Sequence, residues 1–221
     1  MKVYVGQTRS TRLLAKLREL GFGEMTVRSE WPPRRAPWAL DNGAFTDWKA
    51  KRPFDERTFL RVLDRMHEAR DDAGPPDIPA PDFLVVPDIV AGGLNSLGFS
   101  LKWGERLRRR GWCGPLYLAV QDGMERADVV PYVHLFQGLF VGGTLRWKLK
   151  TAEEWIALAR LRGLPCHIGR VGTAPRVRWA RRIGASSIDS ALPLWSAANL
   201  HRFIRALTHG QQELLFTTPR S

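Results

Sequence analysis

The chain has 221 residues, 44% of them hydrophobic and 25% charged, which fits one well-buried core and excludes a disordered chain. Thirty-four Lys and Arg against 22 Asp and Glu leave a net charge of +12, a field that attracts polyanions such as nucleic acid. The longest apolar runs, such as Phe83–Pro87, are too short to cross a bilayer, and Cys113 and Cys166 offer neither a CxxC pair nor a zinc spacing.

In chain order, Lys2–Gly6 alternates as a first strand, so no secretion leader is expected and a cytoplasmic location follows. Ser10–Leu20 carries Leu13, Leu14, Leu17 and Leu20 at helical spacing, with Ser10 as its cap. Met25–Ser29 is a second strand. Trp31–Pro37 is extended by its prolines and expected on the surface, and Trp38–Leu40 is a third strand. Asp55–Ala73 is a helix, followed by a Pro-rich connection over Gly74–Pro81. Phe83–Asp88 is apolar nearly throughout, as a parallel strand covered on both faces should be. A helix capped by Asn95 runs to Arg110, Leu116–Gln121 is a fifth strand, and a short helix falls near Met124–Tyr132. Leu135–Gly143 contains the sixth strand. Thr151 and Glu154 form a capping-box pattern that starts a helix to Arg162. Cys166–Val171 and Ser186–Asp189 are strands seven and eight, each followed by a helix, Pro175–Ile183 and Ser196–Leu207.

Eight strands, most followed by a helix and with no linker between them, predict a single compact (β/α)8 barrel over residues 1–209 and a tail over 210–221. A doubly wound sheet is the alternative, but Gly6-Gln7-Thr8-Arg9-Ser10 lacks its glycine fingerprint.

Chemistry in a barrel gathers at the C-terminal ends of the strands. Those ends carry Asp41, Asp88, Gln121 with Asp122, Gly142 and Gly143, His167 with Arg170, and Asp189. A carboxylate can accept from the ring N–H and exocyclic amine of a guanine edge, while an amide such as Gln121 donates to the neighbouring carbonyl. Gly-Gly lets a flat ligand reach backbone N–H groups, or simply makes a tight turn. Two further acids can divide nucleophile and acid/base roles at an anomeric carbon, although Asp189 could equally cap the helix that follows it. No metal-ligand spacing is present, and no cofactor is called for. Beyond Gly-Gly, Arg146, Lys148 and Lys150 alternate with Trp147 and Leu149, either as a phosphate-holding loop with a stacking Trp147 or as an ordinary amphipathic strand. Arg34 and Arg35 would grip a polynucleotide from the Pro-rich loop, with Arg170 and Arg176 near strand seven. Arg108–Arg110 and Arg181-Arg182 read as solvated helix faces.

Six segments in order carry a resemblance: Asp41-Asn42-Gly43-Ala44-Phe45, Val86-Pro87-Asp88, Ala119-Val120-Gln121-Asp122-Gly123, Phe140-Val141-Gly142-Gly143, His167-Ile168-Gly169-Arg170-Val171-Gly172 and Ile188-Asp189-Ser190-Ala191-Leu192-Pro193. Over Trp38–Trp195 the chain resembles the tRNA-guanine transglycosylase superfamily, and within it the small phage-type enzymes that insert 7-deazaguanines into DNA. The resemblance implies Asp189 as nucleophile and Asp41 as acid/base. It implies Asp88, Gln121, Gly142, Gly143 and His167 as substrate-binding, and a location in the host cytoplasm if the chain is phage-encoded. Arg170 stands where the family has a glycine, and the zinc subdomain of the tRNA enzymes is missing. The expected activity is therefore exchange of guanine in DNA for a 7-deazaguanine such as preQ0. The alternatives are tRNA as substrate, a non-catalytic nucleic-acid-binding barrel, or an enzyme of small phosphorylated sugars with Gly169–Gly172 as phosphate cradle.

Overall fold

The computed structural model describes residues 1–71 and 79–208. Eight parallel strands close into a barrel in sequence order: β1 (Lys2–Val5), β2 (Gly23–Val27), β3 (Trp38–Asp41), β4 (Leu84–Val85), β5 (Leu116–Val120), β6 (Gly138–Val141), β7 (Cys166–Ile168) and β8 (Ser187–Ser190). β8 pairs with β1, placing Lys2 opposite Ser187 and Tyr4 opposite Asp189. The helices are α1 (Thr11–Glu19), α2 (Ala44–Lys49), α3 (Glu56–Asp71), α4 (Gly93–Arg109), α5 (Arg126–Val129), α6 (Leu145–Leu161), α7 (Ala174–Arg182), α8 (Leu192–Trp195) and α9 (Ala197–Thr208). The architecture is the compact (β/α)8 barrel expected from the strand count. Among the described residues no helix is long and apolar enough to cross a membrane.

Successive side chains on a strand point to opposite faces, and here both faces are buried. Outward residues such as Val3, Leu40, Leu118, Val141 and Ile188 meet Leu17, Phe59, Leu107, Trp155 and Phe203 of the helices in one continuous core. Inward residues Tyr4, Met25, Phe83, Tyr117 and Phe140 fill the barrel. Two stacked pairs dominate that filling: Phe83 on Tyr117 at 4.1 Å and Phe140 on His167 at 4.9 Å. Asp82 closes the lower end by accepting from Lys2 Nζ at 2.7 Å and Tyr4 Oη at 2.6 Å.

Most local expectations hold to within one or two residues, and Ser10 caps α1 by accepting from Leu13 N–H. Four do not. α6 starts at Leu145, capped by Thr144, so residues 146–150 are helix rather than loop or strand. Thr151 lies inside that helix and its hydroxyl donates to the Trp147 carbonyl instead of capping. α4 starts at Gly93 rather than at an Asn95 cap. α2 is a six-residue helix too short to leave a periodic signal.

The largest difference concerns Arg35. Between β2 and β3 the chain makes a 3-10 turn over Arg28–Glu30 and then the Pro-rich segment, with no α-helix. Arg35 was expected on the surface, yet its side chain is fully buried against β1 and β2. Its guanidinium pairs with Glu24 at 3.1 Å and donates to the carbonyls of Val5, Phe22 and Gly23. These bonds satisfy backbone carbonyls of β1, of β2 and of the residue before β2. Of the connection over Gly74–Pro81, residues 74–78 lie outside the described residues, as does the tail after His209.

Candidate functional site

The C-terminal mouth of the barrel contains a cavity of about 370 Å³. Seven of the expected site residues line it: Asp41, Asp88, Gln121, Gly142, Gly143, Arg170 and Asp189.

Asp189 ends β8 and is held from below and from the side. His167 Nε2 lies 2.9 Å from its Oδ1, and the Arg170 backbone N–H donates to Oδ1 at 3.0 Å and Oδ2 at 3.1 Å. His167 was expected to bind substrate. Instead it is fully buried beneath the cavity, stacked on Phe140, with Nδ1 2.8 Å from Ser187 Oγ. Its place on β7 therefore makes it a positioning residue for Asp189. Arg170 reaches the carboxylate through a left-handed backbone, φ 59°, which glycine adopts more readily than arginine. Its side chain crosses the mouth, donating to the Gly143 carbonyl at 2.6 Å, with the guanidinium 3.7 Å over the Phe45 ring.

Asp41 ends β3 and opens two Asx-type turns. Its Oδ1 accepts from Gly43 N–H, and Asn42 Oδ1 accepts from Ala44 N–H, both at 2.7 Å. Buried Arg28 secures the turn by donating to the Asn42 carbonyl at 2.8 Å while paired with Asp47. Burial pushes the Asp41 pKa up, the Gly43 N–H pulls it down, and the Asp189 charge pushes it up again. Asp41 thus binds a proton more readily than an ordinary aspartate, beside a second carboxylate.

Asp88 follows β4 and is buried, accepting from Asn42 Nδ2 at 2.7 Å and from Gln121 Nε2. Burial outweighs these two donors and raises its pKa to about 7. Gln121 Oε1 accepts from Ala91 N–H at 3.4 Å, which sets the amide so that its nitrogen faces the carboxylate.

Gly142 and Gly143 each have a separate reason to be glycine. A Cβ on Gly142 would stand 2.5 Å from Gln121 Nε2. Gly143 has φ 70°, and a Cβ there would run into the Asp122 carboxylate and stand 2.9 Å from Trp147. Asp122 holds this turn by accepting from Thr144 N–H at 2.7 Å and from its hydroxyl. The Gly142 N–H is spent on the Val120 and Phe140 carbonyls. The Gly143 N–H has no acceptor among the described residues and borders the cavity.

Several expected polynucleotide contacts need correcting. Arg35 is part of the core, as described above. Lys148 is buried, and its ammonium donates to the Gly169 carbonyl, so it is no freely reaching loop lysine. Trp147 is half-buried and packs on Trp155 at 6.0 Å between centroids, which leaves no wedge projecting from a loop. Arg34, Arg146 and Lys150 are exposed but do not line the cavity. The Gly169–Gly172 turn is no phosphate cradle either. Its N–H groups at Gly169, Arg170 and Val171 go to Val141 O at 3.2 Å, the Asp189 carboxylate, and Asp189 O at 2.8 Å.

Residues passed over in sequence also line the cavity. Glu30, whose carboxyl pKa burial raises, faces it from the turn after β2, and Phe45 walls it. Asn42 was legible only as part of an Asp-Asn-Gly turn, and nothing near Glu30 in sequence signals a site. Among the described residues no cluster of three or more His, Cys, Asp or Glu is arranged to hold a metal ion. Compared with protein-family models and with curated proteins, the chain matches no family model and no curated relative.

Proposed function

We propose that the chain is a base-exchange transglycosylase that replaces guanine in DNA with a 7-deazaguanine such as preQ0. The observation that carries the reading is a division of labour among three carboxylates around one cavity. Asp189 is fixed by a histidine and a backbone N–H, the Asp41 pKa is raised beside it, and Asp88 shares hydrogen bonds with two amides. Six segments resembling the tRNA-guanine transglycosylase superfamily supply those groups.

The target guanine leaves its stack and enters the cavity, at a cost of about a few kcal/mol that pocket and phosphate contacts offset. Ionised Asp88 accepts from the base N1–H and exocyclic amine. The Gln121 amide then turns from Asp88 to the base O6, which the Gly143 N–H also serves. An Asp189 oxygen attacks C1′ of the sugar, the C1′–N9 bond breaks, and its electron pair leaves with the base. Asp41 gives its proton to the departing guanine. The incoming 7-deazaguanine returns a proton from N9–H to Asp41, its N9 attacks C1′, and Asp189 is released. Each carboxylate ends in the state in which it began. The +12 net charge suits a polyanionic substrate.

The test supplies guanine-labelled DNA and, separately, tRNA, with preQ0 as acceptor. Release from DNA is expected, with a covalent protein–DNA species on a denaturing gel. Asp189→Asn should abolish that species and lower release on the order of 10³-fold or more. Full exchange by Asp189→Asn would overturn the nucleophile, and release from tRNA alone would overturn the polymer.

A further inference from the structure

A second cavity, of about 350 Å³, adjoins the first across Arg170 and Phe45, which border both. Three cations line it, Lys148, Arg170 and Arg176, and no acid does. Lys148 is 4% exposed, and its partner is a neutral carbonyl. Arg176 forms no ion pair among the described residues. Lys148 has no carboxylate in hydrogen-bond contact, and the carboxylates that offset Arg170 lie outside this cavity's wall, so the cavity presents cations alone to an anion from outside the chain. Burial, then the charge on Arg170, lower the Lys148 pKa to about 7; Asp189 and Asp122 pull it back up, and Arg176 adds to the repulsion.

The backbone points the same way. The 17-residue α6 begins at this cavity, with Thr144 and Leu145 in its wall. Thr144 accepts from Trp147 N–H, whereas the N–H groups of Leu145 and Arg146 have no acceptor among the described residues. Those donors and the positive end of the helix favour an anion. On the other side Phe45 and Trp48 stack at 5.7 Å, an apolar wall suited to a sugar or base face.

We infer that this second cavity holds a backbone phosphodiester of the polynucleotide whose base occupies the first cavity. The choice of polymer rests on the base-exchange reading, whereas the anion site rests on its own residues. Arg170 is the shared wall, so one guanidinium touches both the base pocket and the phosphate. The first turn of α6 brings Lys148, the first turn of α7 brings Arg176, and the turn after β7 brings Arg170 to this one cavity.

The experiment measures anisotropy of a short fluorescent single-stranded DNA containing one guanine, across a series of NaCl concentrations. Arg176→Met is expected to weaken binding about tenfold at low salt and to reduce the slope of log Kd against log salt by about one phosphate's worth. Arg178→Met, an exposed arginine on the same helix outside the cavity, serves as control and should keep the steeper slope. In parallel, inorganic phosphate is titrated against both proteins by 31P line broadening, which Arg176→Met should diminish. An unchanged slope in Arg176→Met overturns the site. Phosphate binding that depends on Arg176 without any change in DNA affinity overturns the polynucleotide and assigns a small phosphorylated ligand. A reduced slope with no guanine release supports the phosphate site while the exchange reading fails, so the two stand or fall separately.

Discussion

Arg35→Met is the sharpest test of the way this barrel does without a helix between β2 and β3. Methionine replaces the stem of Arg35 but none of its five donors. In the native chain Glu24 and Arg35 are both fully buried. Gln7 Nε2, Thr26 Oγ1 and Arg34 N–H all donate to Glu24 Oε1, at 3.2, 3.0 and 3.1 Å, while Oε2 has Arg35 alone. The substitution strips Oε2 and leaves the carbonyls of Val5, Phe22 and Gly23 without that donor. Breaking one side of a buried ion pair costs about 3–5 kcal/mol. For a domain of this size each kcal/mol lowers Tm by about 2–4 °C, so a fall of roughly 6–20 °C is expected in a thermal melt followed by circular dichroism. Glu24→Gln added to Arg35→Met removes the stranded charge and should recover part of the loss. DNA affinity of Arg35→Met, measured well below its midpoint, should match the wild type, because the guanidinium does not reach the surface. A melt within about 2 °C of the wild type refutes the structural role, and a folded variant that no longer binds DNA returns Arg35 to the interface.

Three further outcomes follow from the mouth of the barrel. Asp88, raised to about 7 in the folded state, holds a proton that the unfolded chain loses near pH 4. Its contribution to stability is therefore present below about pH 4 and is lost as pH rises through about 7, with a slope of up to about 1.4 kcal/mol per pH unit. Urea titrations of wild type and Asp88→Asn should diverge across that window, and parallel curves refute the assignment. In the same window kcat/KM for guanine release should rise with pH, since only the carboxylate accepts from both N–H groups of the base. Gly143→Ala should cost about 1–2 kcal/mol for its φ of 70° alone, and more because the methyl meets Asp122. Unchanged stability by urea denaturation shows that the turn can relax.

Much of the barrel was legible because strands covered on both faces read as short apolar runs, and Phe83–Asp88 and Leu116–Gln121 are such runs. Polar residues at their ends therefore stand out, which is how Asp41, Asp88, Gln121 and Asp189 come to mark one cavity. What sequence hid has a common cause. Lys148, Arg35 and His167 are polar groups whose burial is decided by partners distant in sequence: Gly169, Glu24 and Asp189. The alternation of Arg146, Lys148 and Lys150 with Trp147 and Leu149 imitates a strand or a basic loop, yet Thr144 caps a helix there. An acid inside the buried β2, Glu24, was the available hint that a cation had to be buried nearby.

The pairing of β1 with β8 has a consequence for how the protein comes into being. β1 leaves the ribosome well before β8, so the edge it offers to Ser187–Ser190 stays open until nearly the whole barrel has been synthesised. Long-range parallel pairing of this kind is slow and is bought late, after the loop-closure entropy has been spent. The strand that seals the ring also delivers Asp189, and His167 gains its partner in the same event. Closure and the placing of Asp189 thus arrive together, so a nascent or half-assembled ring carries the basic surface but not the carboxylate we propose as nucleophile.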